Sequence, residues 1–197
     1  MRLAIIRFYS FYWKEFTFFG IYITFLECLD INNDKTQIFM SNTYSKIYIQ
    51  VVFAVQNRNA LILPEWEEDL FKYITGIVQN KGQKMLEING TKNHIHMLIG
   101  IKPSISLSEL VRENKKSTDA MIREKKLSPF LFKWQEGFGA FSYGHSQLTT
   151  IIQYIRSQKE HHLKRKFKDE YLAFLKAYEI EFKDEYLFEW IDEWPRR

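Results

Sequence analysis

Cysteine is almost absent from this chain of 197 residues, which contains only Cys28. A single thiol can form no disulfide within the chain and cannot build a Cys-based zinc site. A disulfide-stapled secreted scaffold is therefore excluded, and the composition favours a reducing, cytoplasmic setting.

Long hydrophobic runs are also missing. Within the first 40 residues, the longest uncharged stretch, residues 16–26, has 11 residues and is flanked by Lys14, Glu15 and Glu27. A membrane-spanning helix needs about 20 apolar residues, and no secretory cleavage pattern follows this stretch. We therefore predict a protein without a membrane span.

The chain divides at Met40. Residues 1–39 are dense in aromatic side chains without a clear period, and an orderly pattern follows from about residue 44. We interpret residues 1–39 as an N-terminal extension that is translated upstream sequence, and residues 40–197 as the domain. An extra packed helix is the alternative, and a membrane anchor is a more distant one.

The pattern from residue 44 alternates strands and helices. Strands are predicted over 46–55, 83–88 and 93–101, with a hairpin turn at Asn89-Gly90, and a further strand or hairpin over 130–144 with a bulge near Gly137 and Gly139. Helices are predicted from Pro64 to Gly82, from Ser106 to Lys125 and from Gln147 to Phe167. The order β-α-β-β-α-β with a final helix predicts the ferredoxin-like α+β fold, with helices on one face of the sheet.

The third strand carries two histidines at alternate positions. His94 and His96 share one face, about 7 Å apart along the strand, whereas Ile95, Met97 and Ile99 form the opposite, apolar face. We predict that the histidine face is the more open one, where both imidazoles can converge on one metal ion. The alternative is a pair of surface histidines with no ligand.

The last predicted helix supplies further polar groups. At about 100° per residue, one stripe holds Tyr154, Gln158, His161 and Arg165, beside an apolar stripe for the core. In this row Tyr154 is a candidate nucleophile, Gln158 a candidate third metal ligand, and the last two candidate phosphate contacts. Alternatively, Tyr154 lies at a core edge and the basic run from Lys164 is a solvated surface.

Several ordered motifs together resemble the single-tyrosine HUH transposases of the smallest bacterial insertion sequences. The HUH motif is similar to His94-Ile95-His96, and the family's Tyr-Ile-x-x-Gln motif to residues 154–158. Between them, the segment 134–144 (WQEGFGAFSYG) resembles the family's Trp-Gln-x-Gly-Tyr-Gly-Ala-Phe-Ser pattern. The resemblance covers residues 41–190.

The resemblance implies an enzyme that cleaves and rejoins single-stranded DNA with hairpin ends. Tyr154 would attack a phosphate, forming a 5′-phosphotyrosine and releasing a 3′-OH. Mg²⁺ or Mn²⁺ would be held by His94, His96 and Gln158, and a homodimer would carry composite sites, with histidines from one subunit and tyrosine from the other. The candidate DNA-binding residues are Lys115, Lys116, His161, Lys164 and Arg165.

Three other functions share parts of this pattern. A domesticated nuclease acting on repeat-associated hairpins would use the same chemistry. A non-catalytic single-stranded DNA-binding protein would not need Tyr154 and both histidines, which are all present. A replication initiator or relaxase is disfavoured by the short chain and its single tyrosine motif.

Overall fold

The computed structural model describes residues 44–56 and 59–190 of the chain. The extension predicted over residues 1–39 lies outside them, so it stays a prediction. Within the described residues, every helix is too short or too polar to traverse a lipid bilayer.

The fold consists of one sheet and a set of helices. The strands are β1 (Ile47–Ala54), β2 (Lys84–Gly90), β3 (His94–Ile101) and β4 (Gly139–Tyr143). Two long helices, α1 (Pro64–Asn80) and α2 (Leu107–Glu124), connect them. After β4 come α3 (Leu148–Arg156), α4 (Gln158–His162) and α5 (Phe167–Ala177), with 3₁₀ turns at His145–Gln147 and Asp184–Tyr186.

Local sequence explains where the two long helices begin. Pro64 occupies the first turn of α1, where its missing N–H breaks no hydrogen bond, and Glu65 and Glu67 lie where the helix dipole favours acids. The Ser106 hydroxyl caps α2 by accepting a hydrogen bond from the Glu109 N–H at 3.2 Å. Both predicted helix starts are confirmed.

The four strands pair antiparallel in the order β2-β3-β1-β4. Together with the βαββαβ chain order, this is the ferredoxin-like α+β fold that the sequence predicts. The two central strands β1 and β3 place Val52 opposite His96 and Ala54 opposite His94. The histidine pair therefore lies in the middle of the sheet.

Each face of the sheet has its own apolar core. On one face, β1 side chains such as Val51 and Phe53 pack with α1 and α2. On the other face, Val52 and Phe141 pack with α5 and with Phe188 from the C-terminal segment. Both faces are covered, which encloses the histidine face of β3.

The single helix predicted over 147–167 is wrong. The chain leaves helical geometry at Ser157 (φ −91°, ψ 17°), which separates α3 from α4. The Ser157 hydroxyl donates to the Tyr154 carbonyl oxygen at 3.2 Å, a local hydrogen bond that competes with the helical ladder.

Two smaller predictions about strands are also corrected. Only residues 139–143 of the segment 130–144 form a strand, and Trp134 makes an isolated bridge to Val55. The register irregularity that the structure describes lies in β2, between Met85 and Glu87, and not near Gly137. The predicted turn Asn89-Gly90 instead ends β2, and residues 91–93 connect it to β3.

Position 90 must be glycine because the backbone of β3 passes very close to it. A Cβ at this position would lie 2.3 Å from the His94 carbonyl oxygen and 3.0 Å from the Ile95 Cα, both backbone atoms. Gly90→Ala is therefore expected to lower the free energy of unfolding by about 1–3 kcal/mol. Urea denaturation of the purified protein measures this change.

Gly76→Ala is the matched control for that substitution. Gly76 lies in α1 with nothing within 4 Å of the added Cβ, so alanine should stabilise by about 0.5–1 kcal/mol. Equal effects of the two substitutions would contradict the close contact at Gly90.

Candidate active site

The two histidines of β3 are completely buried. Their ring centroids lie 5.0 Å apart, and the His94 ring stacks on Phe167 of α5 at 3.9 Å. The prediction of an open histidine face is wrong, because α5 and the segment around Phe188 cover it.

A polar partner orients each of these imidazoles. His94 Nδ1 lies 2.8 Å from Asn93 Oδ1 and 3.0 Å from the Thr91 hydroxyl. His96 Nδ1 lies 2.7 Å from the side-chain amide nitrogen of Gln50. These contacts fix the ring orientations and turn both Nε2 atoms toward one shared space.

Glu170, from α5, lies in the centre of that space. It is 2% exposed, and its Oε2 is 3.8 Å from His94 Nε2 and 3.3 Å from His96 Nε2. His162 at the end of α4 is also buried, with Nε2 3.1 Å from the same oxygen. One potential ligand atom from each of these four residues lies within 4.8 Å of the others.

Tyr154 reaches the same cluster from α3. Its hydroxyl donates a hydrogen bond to Glu170 Oε1, and its ring centroid is 6.1 Å from that of His96. Ile155 beside it is fully buried and anchors α3. The structure thus brings the predicted nucleophile and the predicted metal ligands together within one chain.

Gln158, the predicted third ligand, begins α4 and is fully buried. Its Nε2 donates to Glu170 Oε1 at 3.1 Å, whereas its Oε1 is buried without a hydrogen-bond partner. The amide therefore borders the cluster, with one acceptor atom available.

Burial and neighbouring charges set the protonation of the cluster. Burial, followed by the charge of His96, lowers the pKa of His94 and favours the neutral imidazole that metals bind. Burial and then the charge of Glu170 raise the pKa of Tyr154, so its hydroxyl keeps its proton at neutral pH. Burial alone would raise the pKa of Glu170, but the surrounding imidazoles outweigh it and hold that pKa well below its ordinary range.

The donor set fits a divalent metal ion. The Nε2 atoms of His94 and His96 are buried without a hydrogen-bond partner, as is Gln158 Oε1. Unpaired polar atoms in an interior cost free energy, and a shared cation would satisfy them together with the Glu170 charge. Imidazole nitrogen and carboxylate oxygen are the usual protein ligands of such ions.

Comparison with protein families gives a match over most of the site. The family model described as "Transposase IS200 like" matches residues 43–158, which include both histidines, Tyr154 and Gln158. The chain belongs to the IS200-like transposase family. The match ends before His162 and Glu170, and no curated protein sequence matches the chain.

Two solved structures resemble this IS200-like transposase. One is a candidate transposase from Deinococcus radiodurans R1, with 17% identity and a TM-score of 0.48 over 59% of this chain and 94% of that one. The other is a REP-associated tyrosine transposase bound to a REP hairpin, with 17% identity and a TM-score of 0.47 over 61% of this chain and 71% of that one.

Of the predicted DNA-binding residues of this transposase, His161 contacts the cluster, and Lys164 and Arg165 follow His162 in the sequence. The His161 ring packs against Tyr154 with 5.5 Å between centroids, and its Nε2 is 3.7 Å from Glu170 Oε1. Lys164 is exposed after α4, and Arg165 donates to the Asp169 carbonyl oxygen at 2.8 Å. Their contact with DNA stays a prediction.

The other two lie on α2, which packs on the opposite face of the sheet. Lys115 Nζ donates to the carbonyl oxygens of Gln135 and Gly137, and burial lowers its pKa to about 8. Lys116 is exposed and, together with Lys115, Gln135 and Gly137, lines a surface pocket between α2 and the segment before β4. The structure therefore separates this pair from the cluster around Tyr154.

The sequence reasoning missed His162 and Glu170. The predicted stripe contained His161, which does contact Tyr154, but His162 is the more deeply buried of the two and also faces Glu170. The only sequence signal for His162 is its position four residues after Gln158.

Proposed function

We propose that this transposase cleaves and rejoins single-stranded DNA through a covalent 5′-phosphotyrosine at Tyr154. The observation that carries the proposal is the contact of the Tyr154 hydroxyl with Glu170, which also faces the buried imidazoles of His94 and His96. A phenol and a potential metal centre are thus placed side by side, as phosphoryl transfer to tyrosine requires.

The reaction is a transesterification at phosphorus. The Tyr154 oxygen attacks as its hydroxyl loses its proton, and a bond forms between that oxygen and phosphorus. The bond from phosphorus to the 3′ oxygen breaks, and this oxygen leaves with the electron pair and takes up a proton as a 3′-OH. In the reverse sense a 3′-OH attacks the phosphotyrosine, rejoins two strands and restores the phenol.

Buried Tyr154 is a weak nucleophile on its own, because its raised pKa keeps it protonated. A divalent ion would polarise the phosphoryl oxygen and stabilise the charge that develops in the transition state. His94 and His96 would hold it, with Gln158 as the predicted third ligand through its unpartnered Oε1. We propose Mg²⁺ or Mn²⁺ for this role.

The proposed substrate is single-stranded DNA with hairpin ends. Family membership supports a DNA substrate, and Lys164 and Arg165 supply positive charge beside the cluster. We propose that these two cations contact the phosphate backbone, that the enzyme acts as a homodimer, and that it works in the cytoplasm.

A covalent-capture assay tests the proposed function. The full chain is mixed with 3′-labelled single-stranded DNA that carries hairpin ends, and the products are separated on a denaturing gel. With Mn²⁺ or Mg²⁺ present, label is expected to migrate with the protein.

Removal of the metal with a chelator should reduce the adduct at least about a hundredfold, since the ion supplies several kcal/mol of charge stabilisation. Re-addition of Mn²⁺ should restore it. DNA that binds without forming an adduct under any of these conditions would contradict the enzyme and support a binding protein.

A further inference from the structure

The two oxygens of Glu170 face different groups. Oε2 lies 3.1, 3.3 and 3.8 Å from the Nε2 atoms of His162, His96 and His94, respectively. Oε1 accepts hydrogen bonds from the Tyr154 hydroxyl and from Gln158 Nε2. A single buried carboxylate therefore touches the imidazole cluster with one oxygen and the nucleophile with the other.

Hydrogen bonds on the far side of the rings show which nitrogens carry lone pairs. His162 Nδ1 is 2.9 Å from the Arg165 carbonyl oxygen, which can only accept, so Nδ1 holds the proton and Nε2 is unprotonated in the neutral ring. His94 Nδ1 likewise faces Asn93 Oδ1 at 2.8 Å, which leaves a lone pair on Nε2.

His96 can adopt the same form. Its Nδ1 faces the Gln50 amide, whose other end contacts the Tyr143 hydroxyl at 2.8 Å. A hydroxyl can donate or accept, and the two ends of an amide can exchange places. With the Gln50 oxygen on Nδ1, the His96 Nε2 also presents a lone pair to Glu170.

Three imidazole lone pairs and a carboxylate oxygen then converge, and such groups repel unless a cation lies among them. Two ligands that share one ion at bond lengths near 2.0–2.2 Å are about 3.0–3.5 Å apart. The distances from Glu170 Oε2 to His162 and His96 fall in this range, and the distance to His94 lies slightly above it.

We propose that His162 and Glu170 are metal ligands together with His94 and His96, and that Glu170 links the bound ion to the Tyr154 hydroxyl. This inference rests on the proposed function and enlarges its metal centre beyond the residues that the family model matches. Glu170 is then both a ligand and the residue that positions the nucleophile.

The donor set also selects the ion. Mg²⁺ prefers an all-oxygen octahedral shell and keeps several waters, whereas imidazole-rich sites favour transition metals. Three imidazoles and one carboxylate therefore bind Mn²⁺, Co²⁺ or Zn²⁺ more tightly than Mg²⁺.

Calorimetric titration of Co²⁺ alone into the metal-free full chain tests the ligand set. Glu170→Gln and His162→Asn are each expected to weaken Co²⁺ binding at least about tenfold, the range observed when groups around a metal are altered. Glu160→Gln, which removes an exposed carboxylate from α4, should leave the affinity unchanged, and excess Mg²⁺ should not displace Co²⁺.

The covalent-capture assay separates a linking role from that of a simple ligand. At saturating Mn²⁺, His162→Asn should regain adduct formation, because Tyr154 still has its Glu170 partner, whereas Glu170→Gln should stay impaired. Circular dichroism verifies folding, and His162→Asn decides the ligand set if Glu170→Gln does not fold.

Co²⁺ affinities equal to that of the unsubstituted chain in both variants would overturn the ligand set. Full recovery of Glu170→Gln at saturating Mn²⁺ would overturn the link to Tyr154. Either result leaves the proposed strand cleavage intact, whereas normal Co²⁺ binding without any DNA adduct would overturn the proposed function and not the metal centre.

Discussion

The Tyr154→Phe chain is expected to form no covalent adduct with single-stranded DNA. Phenylalanine keeps the ring that packs near His96, His161 and Phe174 but removes the oxygen that would join phosphorus. Loss of a nucleophile costs at least about a thousandfold in enzymes that use covalent catalysis. The covalent-capture gel with Mn²⁺ measures the effect.

Tyr73→Phe provides the matched control, because it removes the same hydroxyl from a partly exposed position on α1, away from the cluster. This variant should form as much adduct as the unsubstituted chain. The Tyr154→Phe variant should still bind DNA and metal, which separates loss of chemistry from loss of folding. A Tyr154→Phe adduct of normal yield would assign the chemistry to another residue.

A second experiment mixes two variants that should each form no adduct, and asks which chain supplies the tyrosine of a site. Tyr154→Phe supplies intact histidines, and His96→Ala supplies an intact tyrosine. In the structure the tyrosine and the histidines of one site come from the same chain. Polar contacts hold α3 and α4 against β2 and α1 of that chain. Asn89 donates a hydrogen bond to the Arg156 carbonyl oxygen at 2.7 Å. Arg156 forms an ion pair with Glu87 at 2.6 Å, and Lys159 forms one with Glu67.

If the chain uses its own tyrosine, the mixture should form no more adduct than either variant alone. The resemblance to HUH transposases implies the opposite, a composite site. Random pairing of the two variants in such a dimer would restore about one quarter of the sites. Adduct yield after mixing and re-equilibration decides between them, and a dimer whose sites each lie within one subunit fits the first result.

Much of the fold follows from local patterns. The alternation around His94 and His96 predicts a strand with one apolar face, and the Ser106 cap and Pro64 predict the starts of α2 and α1. Each of these sequence signals lies within a single helix or strand, so the prediction from it does not depend on tertiary contacts. The order of elements then suffices for the ferredoxin-like arrangement.

The site could be predicted only in part, because it depends on contacts between distant elements. Glu170 lies in the first turn of α5, where an acidic residue ordinarily interacts with the helix dipole at the surface. Glu170 is buried beneath the histidines because α5 packs on the sheet. The hydrophobic pattern of α5 alone does not reveal this packing. The contact of His162 with Glu170 likewise joins α4 to α5, and the sequence of α4 alone does not reveal it.

The basic residues illustrate a different limit. Lys115 looks like a surface cation in the sequence, but its ammonium group is engaged by two loop carbonyls on the opposite face of the sheet. A positive side chain indicates a nucleic-acid contact only after its neighbours are known. Lys164 and Arg165, beside α4, are the better candidates for contact with the cleaved strand.

Fragment sequencing of the covalent adduct by mass spectrometry identifies the residue that is joined to the DNA. Trypsin should release residues 134–156, which contain both Tyr143 and Tyr154. A nucleotide 5′-phosphate is expected on Tyr154 in this peptide. The same modification on Tyr143 or on another peptide, or a protein bond to a 3′-phosphate, would contradict it.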